Sequence, residues 1–258
     1  KSIGDPGLDF LEDLASKGAR VKVLATLNPP GMDLVDWKEL GFPADFAAKQ
    51  LRIMDAFKRM GIMMTATCTP YLVGNLPRFG DHIAWSESSA VSFANSVIGA
   101  RTNREGGPSA LAAAICGVTP NYGLHLDEKR KPNFLVKVSA ELNDNSDFGA
   151  LGYHVGKIVK DGIPYFRGIK YADIDQLKAF GAAMAASGAV ALYHVEGITP
   201  EARLVETADL ETIEVGEKEI QEAYKALNTG NNPDIIILGC PHASLKEIAT
   251  LAYKLEGK

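Results

Sequence analysis

Apolar residues return every three or four positions at the start of the chain. Leu8, Leu11 and Leu14 share one face there and predict a helix over 9–17, stopped by Gly18. A strand-like run at 21–24 should end near Thr26, before the turn Asn28-Pro29-Pro30-Gly31. After Pro43 the helical period resumes over 45–60, with Phe46, Leu51, Ile53, Met54 and Phe57 inward and Gly61 as the stop. Residues 62–67 read as a short strand that delivers Cys68 at its carboxyl end.

Small residues dominate 86–98, where Ala84, Ser88, Val91, Asn95 and Ile98 fall on one helical face. Gly106-Gly107-Pro108 then opens a second small-residue helix over 109–115, in which Cys116 reads as helix core and not as a ligand. Residues 134–142 alternate as a strand, and the polar stretch that follows is the best internal boundary, dividing two α/β subdomains near 143–149. Helices are expected at 151–159, 174–187 and 218–227, and strands at 189–194 and 234–238. The run Ile235-Ile236-Ile237-Leu238 is continuous, which suits a strand buried on both faces. The alternation indicates an α/β fold with mostly parallel or mixed sheets.

Composition narrows the function classes. A chain that is 46% hydrophobic can bury a large core, while a net charge of −5 without any Lys/Arg cluster interleaved with aromatics argues against nucleic acid as a partner. Three cysteines fit a reducing cytoplasm better than a disulfide framework, and no long apolar run suggests a membrane: 180–192 is broken by Gly181 and Gly188. Cytoplasmic localisation is therefore expected. The chain opens on Lys1-Ser2-Ile3-Gly4 without methionine and stops at Leu255-Glu256-Gly257-Lys258, which predicts a piece of a longer protein.

Cys68 and Cys240 carry the strongest chemical signal. Each is expected to close a strand and open a proline-containing turn, Cys68-Thr69-Pro70 and Cys240-Pro241, and strand ends are where α/β proteins bind ligands. Spacing alone leaves a metal-ligand role and a buried-core role both open, since no CxxC pair is present. A second concentration of polar groups lies between Gly80 and Ser109. It includes Glu87, Ser88, Arg101 and Arg104, with guanidiniums suited to a carboxylate or phosphate and a Gly-Gly-Pro-Ser helix start whose N–H groups suit an anion. The bland reading is a solvated loop with surface ion pairs. His82 and His242 stand near the two cysteine turns, whereas His125, His154 and His194 lie in apolar stretches that favour structural roles. Serine-hydrolase, zinc-protease and P-loop motifs are absent from the sequence.

The strings C-T-P-Y-L at Cys68, F-G-D-H-I-A-W-S-E-S-S-A-V at Phe79, A-N-S-V-I-G-A-R-T-N-R-E-G-G-P-S-A-L-A-A-A at Ala94 and G-C-P-H at Gly239 together resemble the aconitase X family. T-L-N-P-P-G-M-D at Thr26, I-P-Y-F-R-G-I at Ile163 and G-A-A-M-A-A-S-G-A-V-A-L at Gly181 extend the resemblance through essentially the whole chain. It implies an aconitase-like α/β fold, the central part of a catalytic region, and a hydro-lyase that eliminates water from a hydroxy acid. Within the family that acid is 5-phosphomevalonate, in an isoprenoid pathway, or cis-3-hydroxy-L-proline. A 4Fe-4S iron–sulfur cluster is implied as cofactor, its open iron serving as a Lewis acid, and a small swivel subunit as partner.

By motif, Cys68 and Cys240 match two of three cluster cysteines, Asn28 and Pro29 match a substrate-binding turn, and Glu87 and Ser88 match the segment facing the site. Either of the last two is a candidate base. Arg101, Arg104 and Ser109 are the candidate anion grip, which favours phosphomevalonate. The third cysteine and a His-Ile-Ser-Gly substrate motif belong to terminal segments absent here, so the piece alone is expected to hold no intact cluster and to be inactive. A redox or nucleophilic cysteine enzyme using Cys68 and His82, and a noncatalytic anion-binding module, are the other readings.

Overall fold

The computed structural model describes residues 4–230 and 232–257, so the chain-end residues 1–3 and 258 lie outside the described residues. The chain forms two compact units: one runs to Leu76 and resumes over Gly106–Pro120, and the other comprises Pro77–Glu105 and everything from Asn121. The segment 143–149, where composition suggested a boundary, lies within the second unit and carries the first turn of a helix.

In the first unit, α1 (Gly4–Ser16) and α2 (Ala44–Arg59) bury Leu8, Leu11, Ile53, Met54 and Phe57 against Leu27, Met60, Ile62 and Leu111. Phe46 is only half-buried and Leu51 points to solvent, because the buried ladder runs through Ala47, Gln50 and Met54 and Leu51 stands one step round the helix from it. The strands expected at 21–24 and 62–67 reduce to one isolated parallel bridge between Thr26 and Met63. The Thr65 hydroxyl accepts from the Leu27 amide at 3.1 Å, and Ala66 adopts φ 48°, so the chain leaves the extended conformation where a ladder would continue. The third helix of this unit, Gly107–Cys116, buries only Leu111. Cys116 is its exposed last residue and not a core position.

The second unit is built on a four-stranded parallel sheet of β1 (Phe134–Val138), β2 (Pro164–Arg167), β3 (His194–Val195) and β4 (Glu211–Val215), in the order β3-β2-β1-β4. In chain order, α3 (Ser88–Phe93) precedes the helix Gly107–Cys116, which is α4. Then come α5 (Asn145–Val159), α6 (Ile174–Ser187), α7 (Glu217–Leu227) and α8 (Leu245–Leu255). Capping boxes start α5 at Asp144 with Asp147 and α6 at Asp173 with Gln176, each satisfying amides that the first turn leaves bare. α5 and α6 approach so closely that a Cβ on Gly152 would stand 2.6 Å from the Phe180 carbonyl oxygen. Phe148, Phe166, Phe180 and Tyr193 fill the space between these helices and the sheet.

Three expectations fail in this unit. The strand at 189–194 shortens to β3, and β2 and β4 are strands that periodicity did not indicate. Residues 234–238 form no strand: Ile235, Ile236 and Ile237 are 78%, 74% and 89% exposed, because no described strand pairs with them. Among the described residues no helix is long and apolar enough to cross a membrane.

His194 on β3 is fully buried. Its Nε2–H donates to the Arg130 carbonyl at 2.9 Å, and its Nδ1 has no partner among the described residues. A second proton would find no acceptor, and burial lowers the imidazole from 6.5 to about 4. The unfolded chain therefore binds this proton first as pH falls. The stability due to neutral His194 is complete above the unfolded value near 6.5 and is lost on acidification toward 4, a loss of about 3 kcal/mol. Denaturant midpoints measured across that window should fall steeply in the wild-type chain and less in His194→Gln. Equal slopes would remove His194 from the account.

Candidate functional site

In the first unit Cys68 is half-buried in a turn held from both sides. The Thr69 amide donates to Thr67 Oγ1 at 3.1 Å, the two threonine hydroxyls share a 3.1 Å bond, and a 3-10 turn over Pro70–Leu72 follows. The Thr67 amide donates to the Leu27 carbonyl at 3.0 Å, which sets the cysteine turn beside the Asn28-Pro29 turn. Gln50, buried on α2, reaches that second turn by accepting from the Gly31 amide at 3.0 Å. Two stretches separated by 40 residues in the sequence thus meet in one place. Ser109 stands exposed in the first turn of α4, its hydroxyl donating to the Gly106 carbonyl.

In the second unit the extended segments 81–85 and 101–105 run side by side. His82 and Arg101 form a parallel bridge, the Ile83 amide donates to the Arg101 carbonyl at 3.0 Å, and the Glu105 amide donates to the Trp85 carbonyl at 3.1 Å. The Glu87-Ser88 helix start follows directly on the first of these segments, and Arg104 lies in the second. Glu87 is the N-cap of α3: its carboxylate accepts from the Ala90 amide at 2.7 Å and the Ser89 hydroxyl at 2.5 Å. Ser88 is half-exposed, with its hydroxyl 3.4 Å from Glu87 Oε1. α3 continues as a π-helix over Ala94–Ile98, a form that recurs at functional sites because the wider turn re-aims side chains.

The two arginines differ. Arg101 is committed to the fold, donating to the His125 carbonyl at 3.1 Å and pairing with Asp127. Arg104 is exposed and has no ion pair among the described residues, which leaves its fork open to a ligand.

Cys240 is exposed, after Gly239 at φ 107°, in the turn that precedes α8. The two cysteines therefore precede proline-containing turns as read, but neither closes a strand of the sheet. The three cysteines form no disulfide, and no group of three or more His, Cys, Asp or Glu among the described residues could hold a metal ion.

His82 is engaged by a second histidine. Its Nδ1 shares a 2.8 Å bond with Nδ1 of the buried His125, and the two rings stack. Burial first, and the neighbouring His82 second, hold His125 below the ordinary imidazole value. Sequence reasoning missed this pair, as it missed the buried pairs Arg130–Glu201 and Lys178–Asp175. No local pattern marks the first two, whose partners are 43 and 71 residues apart, whereas Lys178 and Asp175 stand three residues apart on one helix.

Residues 2–128 match the model for the aconitase X first domain, and 132–225 match that for the aconitase X second domain. The chain belongs to the aconitase X family. It is similar to the phosphomevalonate dehydratase large subunit of Methanocaldococcus jannaschii, 58% identical over all of this chain and 66% of that protein. Against the cis-3-hydroxy-L-proline dehydratase of Pseudomonas aeruginosa the identity is 38%, over 99% of this chain and 46% of that one. The crystal structure of Thermococcus kodakaraensis aconitase X in its holo form superposes with a TM-score of 0.90 at 51% identity, covering 98% of this chain and 64% of the other. The α/β fold is that of aconitase X. The chain spans about two thirds of the length of these large subunits.

Proposed function

We propose that this chain is the central part of the large, catalytic subunit of an iron–sulfur hydro-lyase that eliminates water from 5-phosphomevalonate. The observation that carries the reading is the difference in similarity: 58% identity to a phosphomevalonate dehydratase large subunit against 38% to a hydroxyproline dehydratase. A relative named a large subunit also supports a small subunit as the partner, here proposed to be of the swivel type.

The donor chemistry fits the cofactor. Cys68 and Cys240 are soft thiol ligands outside any disulfide, each in an exposed or half-exposed turn where a cluster has access. They supply two of the three thiolates that a 4Fe-4S cluster with one open iron needs, and the third is assigned to the rest of the longer protein. When bound, such a cluster supplies a Lewis acid for the substrate hydroxyl and carboxylate, easing departure of water. The chain's own residues do the rest. The Asn28-Pro29 turn, held beside Cys68 by the Thr67–Leu27 bond, orients the hydroxy acid. Arg104 offers its open guanidinium to an anionic substrate group, and Ser109 with the α4 amides offers neutral donors. Arg101 acts in this scheme through the segment it braces.

Glu87 or Ser88 takes the proton beside the carboxylate. Glu87→Gln separates a base from a cap, because the amide oxygen still accepts from the Ala90 amide. As a base, Glu87 predicts a fall in kcat of about 100-fold or more with little change in KM or unfolding midpoint. An unchanged kcat assigns Glu87 to the cap and leaves Ser88 as the base.

The function is tested by anaerobic assay of the complete enzyme with its small subunit on both substrates. Water elimination from 5-phosphomevalonate is expected. Turnover of cis-3-hydroxy-L-proline with none of 5-phosphomevalonate overturns the assignment.

A further inference from the structure

Residues 232–241, which lead into and include Cys240, make no hydrogen bond among the described residues, yet the turn directly behind them is fastened to the core by a buried cation. Lys178 on α6 is 3% exposed. Its ammonium donates to the His242 carbonyl at 3.1 Å and to Glu247 Oε2, and it lies 3.5 Å from Asp175 Oδ1 in an ion pair. The two carboxylates extend the tie. Glu247 Oε2 accepts from the Ser244 amide at 2.8 Å, Asp175 Oδ2 accepts from the Ser244 hydroxyl at 3.0 Å, and Glu247 Oε1 accepts from Asn145 Nδ2 at 3.0 Å.

We propose that Lys178 is a positioning residue that fixes the 240–244 turn and, through it, the Cys240 sulfur. The proposal rests on the reading of Cys240 as a cluster ligand. A purely local explanation is insufficient, because the capping box of Ser244 and Glu247 already starts α8 without any help from α6. A lysine is almost never fully buried unless paired, and among the described residues this one is paired only with the turn and the acids that hold it. Its one carbonyl contact is two residues beyond Cys240. Removing the cation leaves Asp175 and Glu247 facing each other across the same space, so the turn loses its anchor and gains a repulsion.

The test uses the complete enzyme with its small subunit, purified without oxygen, as wild type, Lys178→Met, Glu247→Gln and Lys246→Ala. The last removes only an exposed ion pair to Asp173. Hydrogen exchange in the peptide covering 239–245 reads the anchor, while the electron paramagnetic resonance spectrum of the cluster after one-electron reduction by dithionite and the rate of iron loss to a chelator read the position of the ligand. Lys178→Met should speed both exchange and iron loss by about tenfold or more and alter the spectrum. Glu247→Gln should act in the same direction to a smaller extent, and Lys246→Ala should match wild type. Faster exchange with unchanged spectrum and iron loss makes Lys178 structural only and overturns the proposal, as does unchanged exchange. If Lys178→Met does not fold, the Glu247→Gln protein decides by the same readings. A wild type without any cluster refutes instead the assignment of Cys240 as a ligand, and the exchange data still decide the anchor.

Discussion

Arg130→Met should lower the unfolding free energy by about 3–5 kcal/mol, because it leaves Glu201 ionised in the core without its partner. Arg130 is 3% exposed and Glu201 6%. The Nε–H donates to both Glu201 oxygens, at 3.0 and 2.9 Å, and Nη2 lies 2.8 Å from Oε2 as an ion pair, a planar set of donors that a lysine could not reproduce. The other guanidinium protons go to Asn95 Oδ1, Leu124 O, Asn95 O and Ala100 O at 2.9–3.2 Å. Burial pulls the guanidinium below its ordinary value, and the bonds and charge of Glu201 oppose that pull. Methionine preserves most of the apolar stem, so the loss is chiefly electrostatic. The double variant Arg130→Met/Glu201→Gln should recover a large part of it, since no charge is then left buried alone. Chemical unfolding followed by circular dichroism measures both, and a loss under about 1 kcal/mol for the single variant would contradict this account.

The same residue has a functional consequence. Two of its acceptors are carbonyls at Asn95 and Ala100, in and just beyond the π-helix that joins the Glu87-Ser88 helix start to the segment bearing Arg101 and Arg104. Loss of these donors loosens the link between the candidate base and the candidate anion grip. On the proposed reading of the site, one buried arginine therefore ties stability to catalysis.

What the sequence made legible were features whose causes are local. α6 was read with its observed bounds because a polar start, a helical apolar period and Gly188 all lie within one stretch. α2 was found for the same reason, and the cysteine, Asn28 and Glu87 positions came from long family-like strings. What escaped depends on neighbours distant in sequence. β2 has four residues and β4 alternates weakly, so each is a strand because of its neighbours in the sheet, β1 and β3 for β2 and β1 for β4. The 235–238 run had the composition of a buried strand, but burial is conferred by a partner and none of the described strands supplies one. The π-helix, the stacked histidines and the long-range pairs Arg130–Glu201 and Lys178–Glu247 have no periodic signature at all. Candidate ligands could be read off as residue types in turns, whereas the groups that hold them had to be seen in space.

The second large effect concerns the cofactor. The full-length protein purified without oxygen should carry stoichiometric iron and acid-labile sulfide, and Cys68→Ser or Cys240→Ser should reduce both to background. A serine hydroxyl is a poor ligand for cluster iron, and a cubane left with two thiolates is exposed to solvent and chelators. Cys116→Ser should change nothing, since that thiol ends α4 and matches no ligand motif of the family. With the cluster stripped from all of them, the three variants and the wild type should unfold at the same temperature within experimental error, because Cys68 is only half-buried and Cys240 and Cys116 are exposed. The decisive measurement is the iron and sulfide content of these three variants beside wild type: loss in Cys68→Ser and Cys240→Ser with retention in Cys116→Ser is the predicted result, and equal content in all four proteins would contradict the account.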